Sequence, residues 1–322
     1  MDIDATDYHT AGEPFRIVTA GAPEIPGASV RERREYAVRT EEVDRVRRLL
    51  CHEPRGHADM YGCFLVPPDD EGADLGVLFW HKDGYSTACG HGTIALGAWA
   101  VETGVVAAPR DGEADVTIDV PSGRVIARVR RRAGRVESVV FRNVPSFVVA
   151  RGVTAGEHEV DVAYGGAIYA FVEAERLGLR VVPEQLSELI AAGRAIKRAL
   201  AGSDAARHPE DDRLSGIYGT VIHEQIDGPL HQRNVAIFAD GEVDRSPTGS
   251  ATSARCALLC DLLGGGQVLR NDSIVGTTFH ARVVGEGPDG VLTEVEGTAF
   301  PIGEHRFVLD PRDPLGTGFV LR

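Results

Sequence analysis

Ser86-Thr-Ala-Cys-Gly-His-Gly-Thr-Ile-Ala-Leu-Gly-Ala-Trp99 and Asp244-Arg-Ser-Pro-Thr-Gly-Ser-Ala-Thr-Ser-Ala254 are two versions of one pattern. Laid on each other, Gly90 falls on Gly249, Thr93 on Thr252, Ala95 on Ala254 and Ala98 on Ala257, while Cys89 falls on Thr248. Each run is an extended lead-in, a Gly-containing turn and a helix of small residues. Helices so rich in Ala, Gly, Ser and Thr offer little polar cover, so each is expected to lie buried at the centre of its own domain.

Outward from these runs the chain alternates strands and turns. Phe15-Arg-Ile-Val-Thr19, Arg124-Val-Ile-Ala-Arg-Val129 and Val136-Glu-Ser-Val-Val-Phe141 read as strands, with Ala133-Gly134 as a hairpin turn between the last two. Helices are fewer: about 30–50, with Val43, Val46, Leu49 and Leu50 on one face, then about 90–103, 183–200 and 249–263. Strands outnumber helices and do not alternate regularly with them. That order predicts an α+β fold with mixed or antiparallel sheets. No Rossmann glycine pattern follows a strand, and no P-loop is present. Two duplicated domains facing each other would bring both helix starts to one cleft, the expected active site.

With 322 residues, 43% apolar and 25% charged, the chain has the composition of a folded protein of about two domains. A formal charge of −14 argues against nucleic acid or an anionic membrane as partner. The basic runs Arg31 to Arg34 and Arg128 to Arg132 read as solvated faces of a helix and a hairpin. No apolar stretch is long enough to span a bilayer and the first residues are acidic, so a cytoplasmic protein is expected. Five cysteines, an odd number, fit reduced thiols better than a disulfide framework. Cys51, His52, His57 and Cys63 do not follow the common zinc spacings, and no metal is expected. Asn271-Asp-Ser matches a glycosylation acceptor by coincidence, and Cys256 and Cys260 read as core residues of one helix.

A helix start exposes unpaired amides and the positive end of the helix dipole, which stabilise a thiolate. Cysteine is a poor cap beside Ser, Thr, Asn or Asp, so structural need does not explain Cys89, which is expected to be a base or nucleophile. Thr248 is the reverse case: a good cap and a weak acid and base, expected to position rather than react. The amides of Gly90, His91 and Gly92 on one helix and of Gly249, Ser250 and Ala251 on the other form two anion-binding ends suited to a carboxylate. The side chains of His91 and Asp244 flank the reacting positions and suit a substrate nitrogen.

At these residues the chain resembles the proline racemase family, from end to end. The matching segments include His9-Thr-Ala-Gly-Glu-Pro-Phe-Arg-Ile-Val18, Glu53-Pro-Arg-Gly-His-Ala-Asp-Met-Tyr-Gly62, Cys89-Gly-His-Gly92, Tyr164-Gly-Gly-Ala-Ile-Tyr-Ala170, Asp244-Arg-Ser-Pro-Thr-Gly249 and Ser273-Ile-Val-Gly-Thr277. The resemblance implies a diaminopimelate-epimerase-like fold of two similar domains, each a β-sheet wrapped around a central helix. On this reading 1–122 plus 301–322 form the domain carrying Cys89, and 123–300 the domain carrying Thr248. No metal, pyridoxal phosphate or nucleotide is implied. His91 and Asp244 match positions that contact the substrate ring nitrogen, and Tyr61 and Phe238 match aromatic positions that enclose the ring. Ser250 and Ala251 depart from the Thr and Gly of many relatives.

Racemases and epimerases of the family place a cysteine at each helix start. The Cys/Thr pair is instead the pattern of its trans-3-hydroxy-L-proline dehydratases, cofactor-independent hydro-lyases, with a 4-hydroxyproline 2-epimerase or proline racemase as the alternative. Stereochemistry agrees. In trans-3-hydroxy-L-proline the hydroxyl shares a face with the Cα hydrogen, so one thiol there can serve both steps. The expected partner is a small imino acid, and the expected assembly a homodimer.

Overall fold

The computed structural model describes residues 2–321, so Met1 and Arg322, the outer ends of the expected domain ranges, lie outside the described residues. The chain divides into two units. The first runs up to Thr10, over Pro14–Val139 and from Thr298 onward; the second comprises Ala11–Glu13 and Val140–Gly297.

In the first unit the strand Asp2–Thr10 lies antiparallel to Ala299–Val308, with Ile3 opposite Phe307. Glu13–Ala20 runs parallel to Tyr61–Val66, which pairs antiparallel with Leu75–His81, and that strand meets Gly112–Val120 in parallel. Gly112–Val120 then turns back into Gly123–Arg132, with Val116 opposite Ala127. The helix Gly90–Glu102 is buried on every side from Gly90 to Val101, as its small residues require. A Cβ on Gly97 would stand 2.6 Å from that of Ala127, so glycine sets how closely this helix approaches the sheet.

A second apolar cluster packs Val43, Val46, Leu49 and Leu50 against Phe64, Leu78 and Trp80. The expected helix over 30–50 is here two, Val30–Arg39 and Glu41–Cys51. Thr40 breaks it: its backbone is extended, and its hydroxyl donates to the Tyr36 carbonyl instead of allowing the ladder to continue.

The second unit repeats the plan. Phe147–Ala155, His158–Tyr164 and Ile168–Glu173 form an antiparallel meander. The chain then passes through the helix Leu186–Ala199 to Ile217–Gln225, which lies parallel to Ile168–Glu173. His231–Phe238 follows, flanked by Glu242–Asp244 antiparallel and Leu269–Ser273 parallel, and the sheet continues into Thr278–Gly287 and Gly290–Gly297. Ala251, Ala254 and Leu258 of the helix Gly249–Leu258 pack on Ala163, Tyr169, Phe171, Val221 and Ala236.

The fold is α+β, with a buried helix of small residues in each unit, and the expected turn at Ala133-Gly134 is present with both residues at positive φ. Three boundaries differ from the sequence reading. The expected change of domain at 122/123 falls in the turn of the Gly112–Val120 and Gly123–Arg132 hairpin, whose pairing closes at Val120 opposite Gly123 and keeps both strands in the first unit. The switch comes instead after Val139, and the return after Gly297. The helix expected over 249–263 breaks at Leu259, so buried Cys256 and half-buried Cys260 do not share one helix.

The run Arg31 to Arg34 is less solvated than expected, with Arg33 buried, whereas the run Arg128 to Arg132 makes surface ion pairs and the Arg132 side chain is 77% exposed. Arg31, Arg33 and Arg34 donate to the carbonyls of Pro121, Pro67 and Tyr85, while Arg128, Arg130 and Arg132 pair with Asp115, Glu113 and Glu137. Among the described residues no helix is long and apolar enough to cross a membrane.

Candidate active site

Cys89 ends an extended segment at φ −153° and caps the Gly90–Glu102 helix. Its sulfur accepts a hydrogen bond from the Gly92 amide at 3.2 Å, and its carbonyl accepts from the Thr93 amide and hydroxyl at 3.0 and 2.8 Å. Both ring nitrogens of His91 lie 3.5–3.6 Å from that sulfur. The imidazole is fixed from two sides by aromatic edges, Phe15 at 5.8 Å and Tyr61 at 4.9 Å between ring centres. The Tyr61 hydroxyl is hydrogen-bonded to Ser86 at 2.5 Å, and the Thr10 hydroxyl donates to the His91 carbonyl at 2.9 Å.

Gly92 is required where it stands. A Cβ there would lie 2.4 Å from Phe15 and 2.8 Å from the Cys89 sulfur.

A proton removed from sulfur leaves a negative charge that an amide hydrogen bond and a helix N-terminus stabilise. Cys89 has both; Cys256 has neither, and Cys63 has only a backbone hydrogen bond from Val18, which its burial outweighs. Burial alone pushes the Cys256 thiol up to about 12 and drives Cys63 well above its ordinary value. Cys51 lies against Arg47 and the His81 carbonyl, and Cys63 against the backbone of Val18, so these two thiols are engaged separately.

At the second helix start Asp244, 2% exposed, accepts from the Ser246 amide at 2.8 Å, and the Ser246 hydroxyl accepts from the Thr248 amide at 3.0 Å. Between them the Pro247 carbonyl takes three donors: Asn234 at 3.0 Å, Asn271 at 3.3 Å and the Thr252 hydroxyl at 3.0 Å. This anchorage holds Thr248 at φ +62°, ψ 98°. A β-branched residue there is strained by about 1–3 kcal/mol.

Thr248 does not cap its helix. Its side chain accepts no amide, and its hydroxyl, in a residue 6% exposed, is buried with no hydrogen-bond partner among the described residues. The sequence reading, in which a good capping residue needed no further explanation, therefore fails at this position. An unpaired buried hydroxyl costs about 1–3 kcal/mol. Neither helix carries an acidic residue in its first turn, where carboxylates ordinarily gather, so both helix ends keep their positive character for an external anion.

Around Thr248, the Ser250 hydroxyl is hydrogen-bonded to that of Tyr169 at 2.7 Å, and Phe238 stacks on Tyr218 at 5.6 Å. Thus Cys89, Gly90, His91, Gly92 and Tyr61 gather at the first helix start. Asp244, Thr248, Gly249 and Ser250 form the second, with Phe238 on the strand His231–Phe238 that pairs with Glu242–Asp244. Sequence reasoning missed the carbonyl clamp of Asn234, Asn271 and Thr252. Asn271, the formal glycosylation acceptor, is 1% exposed and donates to Pro247 and Thr252, which explains that match as chance.

The family profile described as proline racemase matches residues 5–320. The chain is 43% identical to a trans-3-hydroxy-L-proline dehydratase of Bacillus thuringiensis subsp. konkukian, over 98% of this chain and 97% of that one. It is equally identical, 43%, to a 3-hydroxyproline 2-epimerase of Burkholderia multivorans, over 99% of this chain and 98% of the relative. A crystal structure of a hydroxyproline epimerase from Agrobacterium vitis, with bound trans-4-hydroxy-L-proline, matches with a TM-score of 0.91 at 30% identity over 99% of this chain and 95% of that one.

Proposed function

The chain belongs to the proline racemase family, and from that premise we propose that it is a trans-3-hydroxy-L-proline dehydratase, a hydro-lyase that forms Δ1-pyrroline-2-carboxylate. The observation that carries this reading is the inequality of the two helix starts: one presents a sulfur supported by an amide, the other a strained alcohol.

In the proposed reaction both helix starts serve one substrate. The Cys89 thiolate, held by the Gly92 amide, takes the Cα proton, and the electron pair moves into the carboxylate, where the amides of Gly90 and His91 and of Gly249 and Ser250 stabilise the enediolate. The Cys89 thiol then returns that proton to the C3 hydroxyl on the same face as the C3–O bond breaks. Water leaves, and the double bond forms between C2 and C3. The enamine tautomerises to the ketimine. His91 and Asp244 hold the ring nitrogen, Tyr61 and Phe238 enclose the ring, and Thr248 offers its hydroxyl to bound substrate. An alcohol does not reprotonate carbon at a useful rate, so inversion is suppressed.

The test is ketimine formation from trans-3-hydroxy-L-proline, with trans-4-hydroxy-L-proline and proline as controls. Turnover confined to the 3-hydroxy substrate supports the reading; interconversion of L- and D-proline as efficient as dehydration overturns it. A second reading, epimerisation, has the Burkholderia multivorans relative in its favour. Chiral analysis of substrate recovered from deuterated water separates the two. We also propose a cytoplasmic homodimer that binds neither nucleic acid nor membrane. The five free cysteines support the reducing compartment, and sedimentation measures the assembly.

A further inference from the structure

The far end of the Gly249–Leu258 helix, three turns from Thr248, borders a cavity of about 250 Å³. Two of its side chains are polar, inward and unsatisfied. His223, on the strand Ile217–Gln225, is 6% exposed, and neither ring nitrogen makes a hydrogen bond among the described residues. The Arg255 guanidinium lies 5.9 Å from the Phe171 ring centre, donates from Nε to Gln232 at 3.1 Å and forms no ion pair with the described residues. Its two NH2 groups are left for whatever enters the cavity.

The other charges on the wall are already matched. Arg151 lies 3.4 Å from Asp161 and donates to the Leu258 carbonyl, covering part of the negative helix end. Arg176 lies between Glu159 and Glu173, at 3.7 and 3.6 Å. Three arginines against three carboxylates leave the wall formally neutral while His223 is unprotonated. A monoanion would bring one negative charge, and a proton on His223 would restore neutrality.

We infer that this cavity is a second ligand site, distinct from the Cys89 and Thr248 helix starts, that binds a small carboxylate on the Arg255 NH2 groups and takes up a proton at His223. A planar carboxylate matches the paired donors of a guanidinium, and an imidazolium N–H supplies the next hydrogen bond. The inference is independent of the proposed dehydration.

The sign of the pH dependence follows from the surroundings of His223. Burial, then Arg255 and Arg176, hold its pKa well below the ordinary value, so the empty site keeps the ring neutral. A bound carboxylate opposes both arginines and brings the pKa back up. Between the depressed value and the ordinary one, near 6.5, binding therefore takes up a proton and tightens as pH falls.

The experiment is nuclear magnetic resonance of the full-length, histidine-labelled protein titrated with acetate, with chloride at equal ionic strength as the control. His223 is assigned from the loss of its signal in His223→Gln. A saturable acetate shift at His223, a midpoint raised by about one pH unit and affinity weakened about tenfold in Arg255→Gln support the site. A His223 signal unmoved by acetate, or moved equally by chloride, overturns it, and so does an unchanged response in folded Arg255→Gln. If that variant does not fold, acetate against chloride on the wild type decides alone. Because the readout is at His223, carboxylate binding beside His91 gives a separate signal.

Discussion

The two central helices start differently, and residue type misleads about both. Cysteine is a weak capping residue, yet Cys89 sits in relaxed extended backbone and takes the Gly92 amide on its sulfur. Threonine is a strong capping residue, yet Thr248 is turned to positive φ and leaves its hydroxyl buried and unbonded. The first helix start spends its local hydrogen bonding on a sulfur, the proposed base; the second holds an alcohol in a costly conformation. Strain of this kind persists where surrounding bonds over-determine it, and here the bonds are those to the Pro247 carbonyl.

The largest expected effect is at the sulfur. Cys89→Ser should lower dehydration about a thousandfold, since a hydroxyl is a far weaker base, with the fold kept as judged by circular dichroism. Wild-type turnover in that variant would falsify the proposed role. Next comes the residue that supports the sulfur. Gly92→Ala places a methyl against Phe15 and the Cys89 sulfur, and a displacement approaching 1 Å should cost about a hundredfold in kcat/KM. A full-rate Gly92→Ala enzyme would mean that the sulfur is not held where the amide puts it.

The third experiment makes the two helix starts alike. Thr248→Cys should introduce deuterium at Cα and produce inverted substrate in deuterated water, with dehydration lowered about threefold by the competing proton return. No inversion in a folded variant would break the pairing of the two positions on one substrate.

The smallest effect is also the sharpest, because its sign decides. Thr248→Gly removes about 1–3 kcal/mol of strain against about 0.5–1 kcal/mol of added chain entropy, so stability in chemical denaturation should rise by about 0–2.5 kcal/mol while KM increases. Loss of about 1 kcal/mol would instead mean that Thr248 is an ordinary cap.

What could be read from the chain beforehand was what repeats or is periodic. The paired small-residue runs announced two buried helices, and the alternating segments announced the strands around them. Single-residue events were hidden. Thr40 belongs to a helix-compatible pattern and breaks it through its own hydroxyl, and Leu259 ends its helix without a glycine or proline. Ala11–Glu13 joins the second unit through the Thr277 hydroxyl on the Ala11 carbonyl and the Arg245 amide on Glu13, contacts far apart in sequence. At the site, the identities of Cys89 and Thr248 were legible from their alignment with each other. The conformation of Thr248 was not, because the side chains of Asn234, Asn271 and Thr252 impose it through a neighbouring carbonyl.

That gripped carbonyl makes position 248 a socket whose shape does not depend on what is plugged into it. A replacement side chain inherits the same launch direction without any rebuilding of the loop. On the proposed reaction, adding inversion to elimination therefore takes one replaced residue and no new backbone.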